Sequence, residues 1–595
     1  IFAIVKIRKD EKNSQKQNVV SREETEEIVK ELKFGIASFD SMNPILTKNK
    51  NVQDIDKIIY ESLFTISSDY KLENCLAKEW AKQSDTVYLV KLKDEIRWSD
   101  GQKFTADDVK YTIDRLKDTN TIYASNVESV VMVEVVDNTT IRITLSQEVP
   151  FFEYNLTFPI LSKSYYSDKE FTADIVPTGT GMYSVVEVQE NALILNKNKY
   201  YWNDEKNLTL EKITINLYSS VGELYNAFKM GNIDFISTQN SNLQNYIGTI
   251  GYQKKEMKGR EHDFIAFNTQ STILSQLNVR KAIAYSIDKT NIVSSVYSDK
   301  YYTSSFPLDY GSWIYQQQDV SSGYNLDQAK QLLIDDGWNY KYKYWQKTVN
   351  YRTQRISLNF VVKASDTTRV NVAENIKAQL GNQGIRVNLI KASDSQYNSY
   401  LTNKNYDMIL CSINLSISPD LSTFFGANNL ANYTNETVTN IMNEVKNITD
   451  TEKLKEDYKK LGEIYKSDVP YLSLYNNKYT VAYSKNLAGT VESNWFYQFY
   501  HIEEWHKYMI DNNMVSKDDI VMFDWLIDDM KKYSAEISIT INTNLRTKND
   551  IYDKEEVKEI KKIPNIKEDT IISNLNLPGI NEDIFIDIDG KNYIK

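Results

Sequence analysis

The chain has 595 residues, 41% hydrophobic and 25% charged, with only 9 Pro and 19 Gly, which excludes a fibrous or linker-rich protein and predicts several units with large cores. A net charge of -11 opposes binding to nucleic acid, and no basic patch that would overcome it is evident in the sequence. Cys75 and Cys411 stand more than 300 residues apart and the chain has three histidines, so no disulfide framework, metal centre or other cofactor is expected.

The amino-terminal segment reads IFAIVKIRKDEK, a short apolar run followed by basic residues. It is either the end of a membrane anchor or a frayed arm, because a run this short cannot span a bilayer. Residues 1–30 are therefore interpreted as a tether or the remnant of an anchor. No other stretch approaches the roughly 20 apolar residues that a spanning helix needs.

Apolar spacing predicts the first ordered elements. LKFGIA reads as a strand, and residues 52–64 read as a helix with Val52, Ile55, Ile59 and Leu63 on one face. VYLVKL reads as a further strand, and VVMVEVVDNTTIRITL as two strands about a polar Asp-Asn turn. This part of the chain therefore mixes helices with strands.

The stretch IRWSDGQKFTADDVKYTIDRL concentrates acidic residues and raises the question of an active site. Thr105 followed three residues later by Asp108 resembles a capping box, and Asp107 and Asp108 suit the positive end of a helix dipole. A carboxylate pair for acid–base catalysis is the alternative, but the neighbouring sequence supplies no partner base. We expect these acids to start a helix.

The second half of the chain alternates strands and helices. VGELYNAFKMGNIDFI reads as a helix, a Gly-Asn stop and a strand, and NLDQAKQLLIDDGW as a helix closed by Gly337. ISLNFVVKA, RVNVAENIKAQLGNQGI and RVNLIKA form a strand, a crossover helix and a strand. Such a unit predicts an α/β lobe with largely parallel strands.

Several of these stretches carry a resemblance to a known family. They are WSDGQKFTADDVKYTIDRL, VPTGTGMYSVVEV, LEKITINLYSSVGELYNAFKMGNIDFI, FIAFNTQ, NVRKAIAYSIDKTNIV, NLDQAKQLLIDDGW and YDMILCSINLSISPDLSTFF. In this order they resemble the extracytoplasmic solute-binding proteins that feed oligopeptide, dipeptide and nickel ABC importers. The resemblance spans roughly residues 32–508, with Met182 where Pro is usual.

The resemblance implies a two-lobed α/β fold that closes on its ligand by hinge bending. Lobe I would comprise residues 31–58, 172–265 and 480–508, with an extra domain at 59–171, and lobe II would comprise 266–479. Residues 509–595 have no counterpart in the resemblance. Helical and strand patterns in that extension indicate an accessory domain, whereas its high charge leaves a disordered tail as the alternative.

In relatives that bind peptides, an acid ahead of an acid-Pro step pairs with the α-ammonium of the ligand. Aligned on Pro419, that acid falls at Leu415, so the expected anchor is missing. Asp420 is a substitute anchor or, alternatively, a solvated loop acid or helix cap. The departure leaves open a blocked peptide, another oligomer or a differently placed anchor.

The resemblance also implies other ligand-contacting residues. Glu61 and Ser62, in IIYESLF, would pair with an extended ligand through their backbone or would simply end a helix. The remaining candidates are Asn268, as a hinge or a contact residue, Ser412 and Asn414 in the strand and loop before Leu415, and Phe424, as a pocket floor or core residue.

We therefore expect a monomeric, non-catalytic receptor outside the cell membrane that hands a peptide or peptide-like solute to an ABC permease, with no nucleic acid as partner. A sensor or adhesin on the same fold, acting through residues 509–595, is the alternative. A glycosidase built on acid pairs is disfavoured because such pairs arise by chance among 81 acidic residues. The nickel-chelate branch is also disfavoured.

Overall fold

The computed structural model describes residues 28–206, 208–238, 252–308, 311–315, 323–448, 450–489, 491 and 493–508. The chain divides into two units, 1–29 with 507–595 and 30–506. In the first unit, the described part is an antiparallel pairing of Ile28 with Tyr508 and of Val29 with Lys507. Apart from residues 28–30, the expected tether lies outside the described residues, as does the extension at 509–595.

An eleven-stranded mixed sheet organises the second unit. Across it the strands follow the order Arg386–Ala392, Ser357–Lys363, Met408–Asn414, Tyr252–Phe267, Tyr471–Ser484, Phe235–Thr238, Glu31–Ala37, Lys212–Tyr218, Ala192–Lys197 and Tyr183–Gln189, with Tyr301–Thr303 also paired to Tyr471–Ser484. The remaining strands of this unit are Phe64–Ile66, Leu72–Asn74, Ala77–Ser84, Val87–Leu92, Val130–Asp137, Thr140–Leu145, Asn339–Lys341, Tyr344–Val349, Arg352–Arg355 and Leu487–Ala488.

Helices cover both ends of this sheet. Among the described residues, the α-helices are Lys50–Ile59, Ala106–Asp118, Ala124–Val127, Lys163–Tyr166, Val221–Lys229, Leu277–Ser286, Lys289–Val296, Leu326–Asp335, Thr367–Asn382, Asp394–Asn403, Ser422–Phe425, Glu436–Glu444 and Thr451–Asp468. Short 3₁₀ turns occupy Phe152–Leu156, Val445–Asn447 and Ile502–Glu504. The predicted strand–helix–strand unit is confirmed, because Ser357–Lys363 and Arg386–Ala392 are parallel neighbours joined by Thr367–Asn382.

Two long antiparallel strands, Tyr252–Phe267 and Tyr471–Ser484, connect the two ends of the sheet, and we call them the crossing strands. Their register shifts between Lys258 and His262. On either side of this irregularity the apolar residues belong to different clusters: Met257 belongs to the cluster of Leu32 and Trp98, whereas Ile265 belongs to the cluster of Phe360. Phe264 and Ala482, on the same two strands, belong to further clusters. The crossing strands therefore support several separately packed cores.

The acid-rich stretch does start a helix, as the sequence predicts. Thr105 is the N-cap of Ala106–Asp118, and its backbone N–H donates to Asp108 Oδ2 at 2.8 Å. The other carboxylate oxygen of Asp108 accepts from the backbone N–H of Lys163 at 2.7 Å. Asp107 is exposed and pairs with Lys163 Nζ. Both acids are used in local structure.

The helix predicted over 52–64 is shorter than expected and ends at Ile59. The Gly179 backbone passes so close that a Cβ there would lie 1.9 Å from the Ile59 carbonyl oxygen. That oxygen accepts a hydrogen bond from Gly181 N at 2.9 Å. The carbonyl at the end of the helix therefore finds its hydrogen-bond donor in another segment instead of in a further helical turn. Consequently Glu61 and Ser62 lie beyond the helix, in a segment that is neither helix nor strand.

His262 gives the crossing strands a pH-dependent stability. It is fully buried between Asn476 Oδ1 and Ser473 Oγ, each 3.2 Å from a ring nitrogen, and burial lowers its pKa from 6.5 to about 4. The His262 imidazole is protonated at a higher pH in the unfolded chain than in the folded protein. We therefore expect the free energy of unfolding to fall as the pH drops from 6.5 towards 4. His262→Gln should remove up to about 3 kcal/mol of this pH dependence, measured by urea unfolding across that range. Equal pH dependence in both proteins would contradict it.

Candidate functional site

A crevice opens where two parallel strands end. Ser357–Lys363 and Met408–Asn414 pair only at Phe360 with Met408 and at Val361 with Ile409, so the described strands part toward their carboxyl ends. From Ser357–Lys363 the chain continues to Arg386–Ala392, its neighbour on one side of the sheet. From Met408–Asn414 it continues to the crossing strand Tyr471–Ser484, which lies on the other side. Such a reversal of connection, at the carboxyl ends of parallel strands, is where α/β sheets place ligands.

The cavity at this point has a volume of about 520 Å³, within the usual range of ligand pockets. We call it the switch-point pocket. Its polar wall includes Glu261, Lys363, Asp366, Arg369, Ser412 and Asn414, and Asn398 of the helix Asp394–Asn403 also lines it. The first six residues come from a crossing strand, from the loop and first turn that follow one parallel strand, and from the end of the other.

Arg369 is the centre of the charged network in the switch-point pocket. Its guanidinium donates to Asp263 Oδ1 from Nε at 3.0 Å and from Nη2 at 2.8 Å, to Ser412 Oγ at 2.8 Å, and to Asp366 and Glu261. Burial alone would lower the pKa of Arg369, but these carboxylates raise it well above its ordinary value. The guanidinium is therefore a fixed cation.

Asp263 lies behind the pocket wall and is completely buried. Burial raises the pKa of its carboxyl, while Arg369 and the Tyr297 hydroxyl, which donates at 2.6 Å, oppose that rise. Glu261 is different, because a third of its side chain remains exposed. The ligand-accessible carboxylate of this pair is therefore that of Glu261.

The charges around the switch-point pocket do not cancel. Among the residues that the structure describes, Arg369 is the one cation that forms ion pairs with Glu261, Asp263 and Asp366. Lys363 points its ammonium at Asp394, 3.1 Å away. The pocket therefore has an excess of negative charge, which favours a cationic group on a ligand.

The structure brings together two of the residues proposed from the sequence. Ser412 and Asn414 line the switch-point pocket. Leu415 follows directly but is buried, and its backbone N–H and carbonyl both bond to Arg260. Asp420 accepts from the backbone N–H and hydroxyl of Ser422, which fits the loop-acid alternative.

The other proposed residues lie outside the wall of the switch-point pocket. The Glu61 carboxylate accepts from Trp202 Nε1 at 2.7 Å, burial raises its pKa, and the Ser62 hydroxyl donates to the Phe64 carbonyl. Asn268 donates its amide to two carbonyls near Tyr406, and Phe424 packs edge-on against Phe264. Their ligand-binding roles stay predictions.

Sequence reasoning missed the charged residues of the site. Glu261 and Asp263 alternate in GREHDFIAF, so they share one face of a strand whose other residues are mostly buried. Acids at two successive same-face positions of a buried strand are a signal for a charged partner. Arg369 is 106 residues away from Asp263 in the chain, and nothing in the local pattern connects them.

With this geometry in place, comparison with known proteins identifies the family. Residues 71–435 match the model described as Bacterial extracellular solute-binding proteins, family 5 Middle. This chain belongs to that family. Its members are extracytoplasmic, non-enzymatic substrate-binding proteins of ABC importers, so the expected family and the two-lobed α/β fold are confirmed.

Individual relatives differ in what their names say they bind. The chain is 25% identical over 473 residues to heme-binding protein A of Haemophilus influenzae, covering 72% of this chain and 83% of that protein. It is 23% identical over 440 residues to nickel-binding protein NikA of Staphylococcus aureus, covering 71% and 84%. The unliganded open form of the murein tripeptide-binding protein MppA matches with a TM-score of 0.68 at 18% identity, covering 81% and 98%.

Within the described ranges, no three His, Cys, Asp or Glu side chains gather as a metal-ion site. Among the helices that the structure describes, none is both long and apolar enough to cross a membrane.

Arg369 should be essential to the stability of the lobe that contains the pocket. We expect Arg369→Gln to lower the free energy of unfolding by about 3–5 kcal/mol at neutral pH, because it leaves the buried Asp263 carboxylate without its cation. The loss should shrink in acid, where Asp263, whose pKa is raised by burial, takes up a proton. Urea unfolding at neutral and acidic pH measures both effects.

The matched control is Arg386→Gln, which removes an exposed arginine from the same lobe. It should change stability by less than about 0.5 kcal/mol. Similar losses for the two variants, or a loss for Arg369→Gln that does not depend on pH, would contradict the role assigned to the network.

Proposed function

We propose that this protein is the receptor of an ABC importer for peptides or peptide-like solutes, and that the switch-point pocket holds the ligand's terminal ammonium. The observation that carries the proposal is the excess negative charge of this pocket, with Glu261 as its ligand-accessible carboxylate. An ammonium that is taken out of water requires such a partner.

The position of Glu261 supports this assignment. Glu261 faces Asn414 across the antiparallel pair of strands, one residue before Leu415, where the resemblance leads one to expect the acid. A carboxylate on the neighbouring strand can therefore serve the region that Leu415 leaves without one. Leu415 itself is buried, and its carbonyl accepts hydrogen bonds from the Arg260 guanidinium.

The parting of the two strands supports a peptide rather than a compact ion. The described ladder between Ser357–Lys363 and Met408–Asn414 stops at Val361 and Ile409, so the carboxyl-terminal half of the second strand borders the cavity. An extended peptide can pair with such an edge through its backbone, while Ser412 and Asn414 supply polar side chains. Backbone pairing tolerates varied ligand side chains.

Contacts between the proposed extra domain and the proposed lobe II support closure over the ligand. Trp313 N donates to Asp69 O at 2.7 Å, and Lys82 Nζ donates to Asn447 Oδ1 at 2.6 Å. The register shift after Lys258 lies on a crossing strand and is a natural place for bending. Closure would exclude water and strengthen the ammonium–carboxylate contact.

Binding of free and blocked peptides tests the proposal. We expect a pool of short peptides with free amino termini to bind the full chain, and Glu261→Gln to weaken that binding about tenfold to a hundredfold, since a hydrogen bond to a charged group contributes about 1.5–3 kcal/mol. Isothermal titration calorimetry measures the affinities. Amino-terminally acetylated peptides should bind weakly to both proteins.

Glu374→Gln is the control, because Glu374 is an exposed acid of the same lobe that pairs with Lys377 and Lys391. It should leave the affinity unchanged. Binding of acetylated and free peptides with equal affinity, or equal effects of the two substitutions, would refute the role of Glu261.

A further inference from the structure

A small sheet on the surface carries an unusual concentration of positive charge. Its three antiparallel strands are Asn339–Lys341, Tyr344–Val349 and Arg352–Arg355, and we call it the basic meander. Between Asp336 and Asp366 the sequence has six Lys and Arg residues and no Asp or Glu, in a chain whose net charge is -11. This segment is therefore a local basic patch in a chain with a negative net charge.

One side of the basic meander is anchored and the other faces water. Trp345 is buried and its indole N–H donates to the Gln383 carbonyl at 2.7 Å. Tyr340 and Tyr344 are exposed, and at the two hairpin tips the exposed fractions reach 84% for Tyr342 and 102% for Tyr351. Large aromatic side chains are therefore presented on a rigid support.

Most of the cations in this segment are available to a partner. Lys347 is held by Asp336, and Lys363, in the next strand, is held by Asp394. The other four form no ion pair with any residue that the structure describes: Lys341, Lys343, Arg352 and Arg355. The meander thus exposes four uncompensated charges interleaved with tyrosines.

The hairpin tips keep their tyrosines at a conformational cost. Both turns have two central residues with positive φ, Tyr342 and Lys343 in one and Asn350 and Tyr351 in the other. Two-residue hairpins of this kind favour Asn and Gly, and a bulky residue with positive φ is strained. Strain of this sort is found where the side chain has a function.

We propose that the basic meander docks on an anionic phospholipid surface. Tyrosines suit the boundary between lipid headgroups and acyl chains, and lysines and arginines next to them bind anionic headgroups. The family acts outside the cell beside a membrane permease, which places an anionic bilayer within reach. This docking is independent of which solute the switch-point pocket holds.

Vesicle co-sedimentation of the full chain tests the proposal. Vesicles with equal amounts of phosphatidylglycerol and phosphatidylcholine should bind the protein, pure phosphatidylcholine should not, and added salt should weaken binding. A variant with Lys341, Lys343, Arg352 and Arg355 all changed to Gln should lose about several hundredfold in affinity, since each cation contributes about fivefold. The control changes four exposed lysines elsewhere to Gln: Lys117, Lys229, Lys330 and Lys459.

A second variant separates binding from folding. Tyr342→Gly with Tyr351→Gly removes both tip aromatics and relieves the positive-φ strain, so its melting temperature should be equal to or above that of the wild type while vesicle binding falls. The proposal is overturned if the wild type binds vesicles with and without phosphatidylglycerol equally, or if the charge variant and its control bind the vesicles with equal affinity. Binding only to an acidic protein, with no vesicle binding, would also overturn it.

Discussion

The buried carboxylate of Asp263 is the constraint on which the pocket depends. It lies on a crossing strand whose apolar residues support several cores, and a charge in such a place must be neutralised by a well-oriented partner. Arg369 meets that need with two hydrogen bonds and is thereby held in one orientation. Its remaining donors then fix Glu261, Asp366 and Ser412 around the cavity. An interaction demanded by burial therefore also arranges the polar groups that line the cavity.

The shape of the site follows from strand topology rather than from any single motif. Two parallel strands part after a short ladder, and their outgoing connections turn in opposite directions, so a cavity opens between their ends. The same crossing strand that bears Asp263 brings Glu261 to the rim, opposite Asn414. Loss of an acid at Leu415 is therefore compatible with binding an ammonium, because the neighbouring strand supplies a carboxylate.

Much of the fold could be predicted from the sequence, whereas most of the site could not. Local signals were sufficient for the capped helix after Thr105 and for the strand–helix–strand unit, since both depend on residues close in the chain. The early end of the helix at Ile59 was missed because the Gly179 backbone that stops it comes from a distant segment. Arg369 was missed for the same reason, since its pairing with Asp263 exists only after the strands are assembled.

Native mass spectrometry of the protein purified from its own cells, followed by denaturation and identification of what dissociates, would show directly what the protein binds. We predict a mixed set of short peptides with free amino termini, because the proposed mode of binding uses a fixed carboxylate and backbone pairing that tolerates varied side chains. A single non-peptide compound, such as a heme or a metal chelate, or peptides whose amino termini are all blocked, would contradict it.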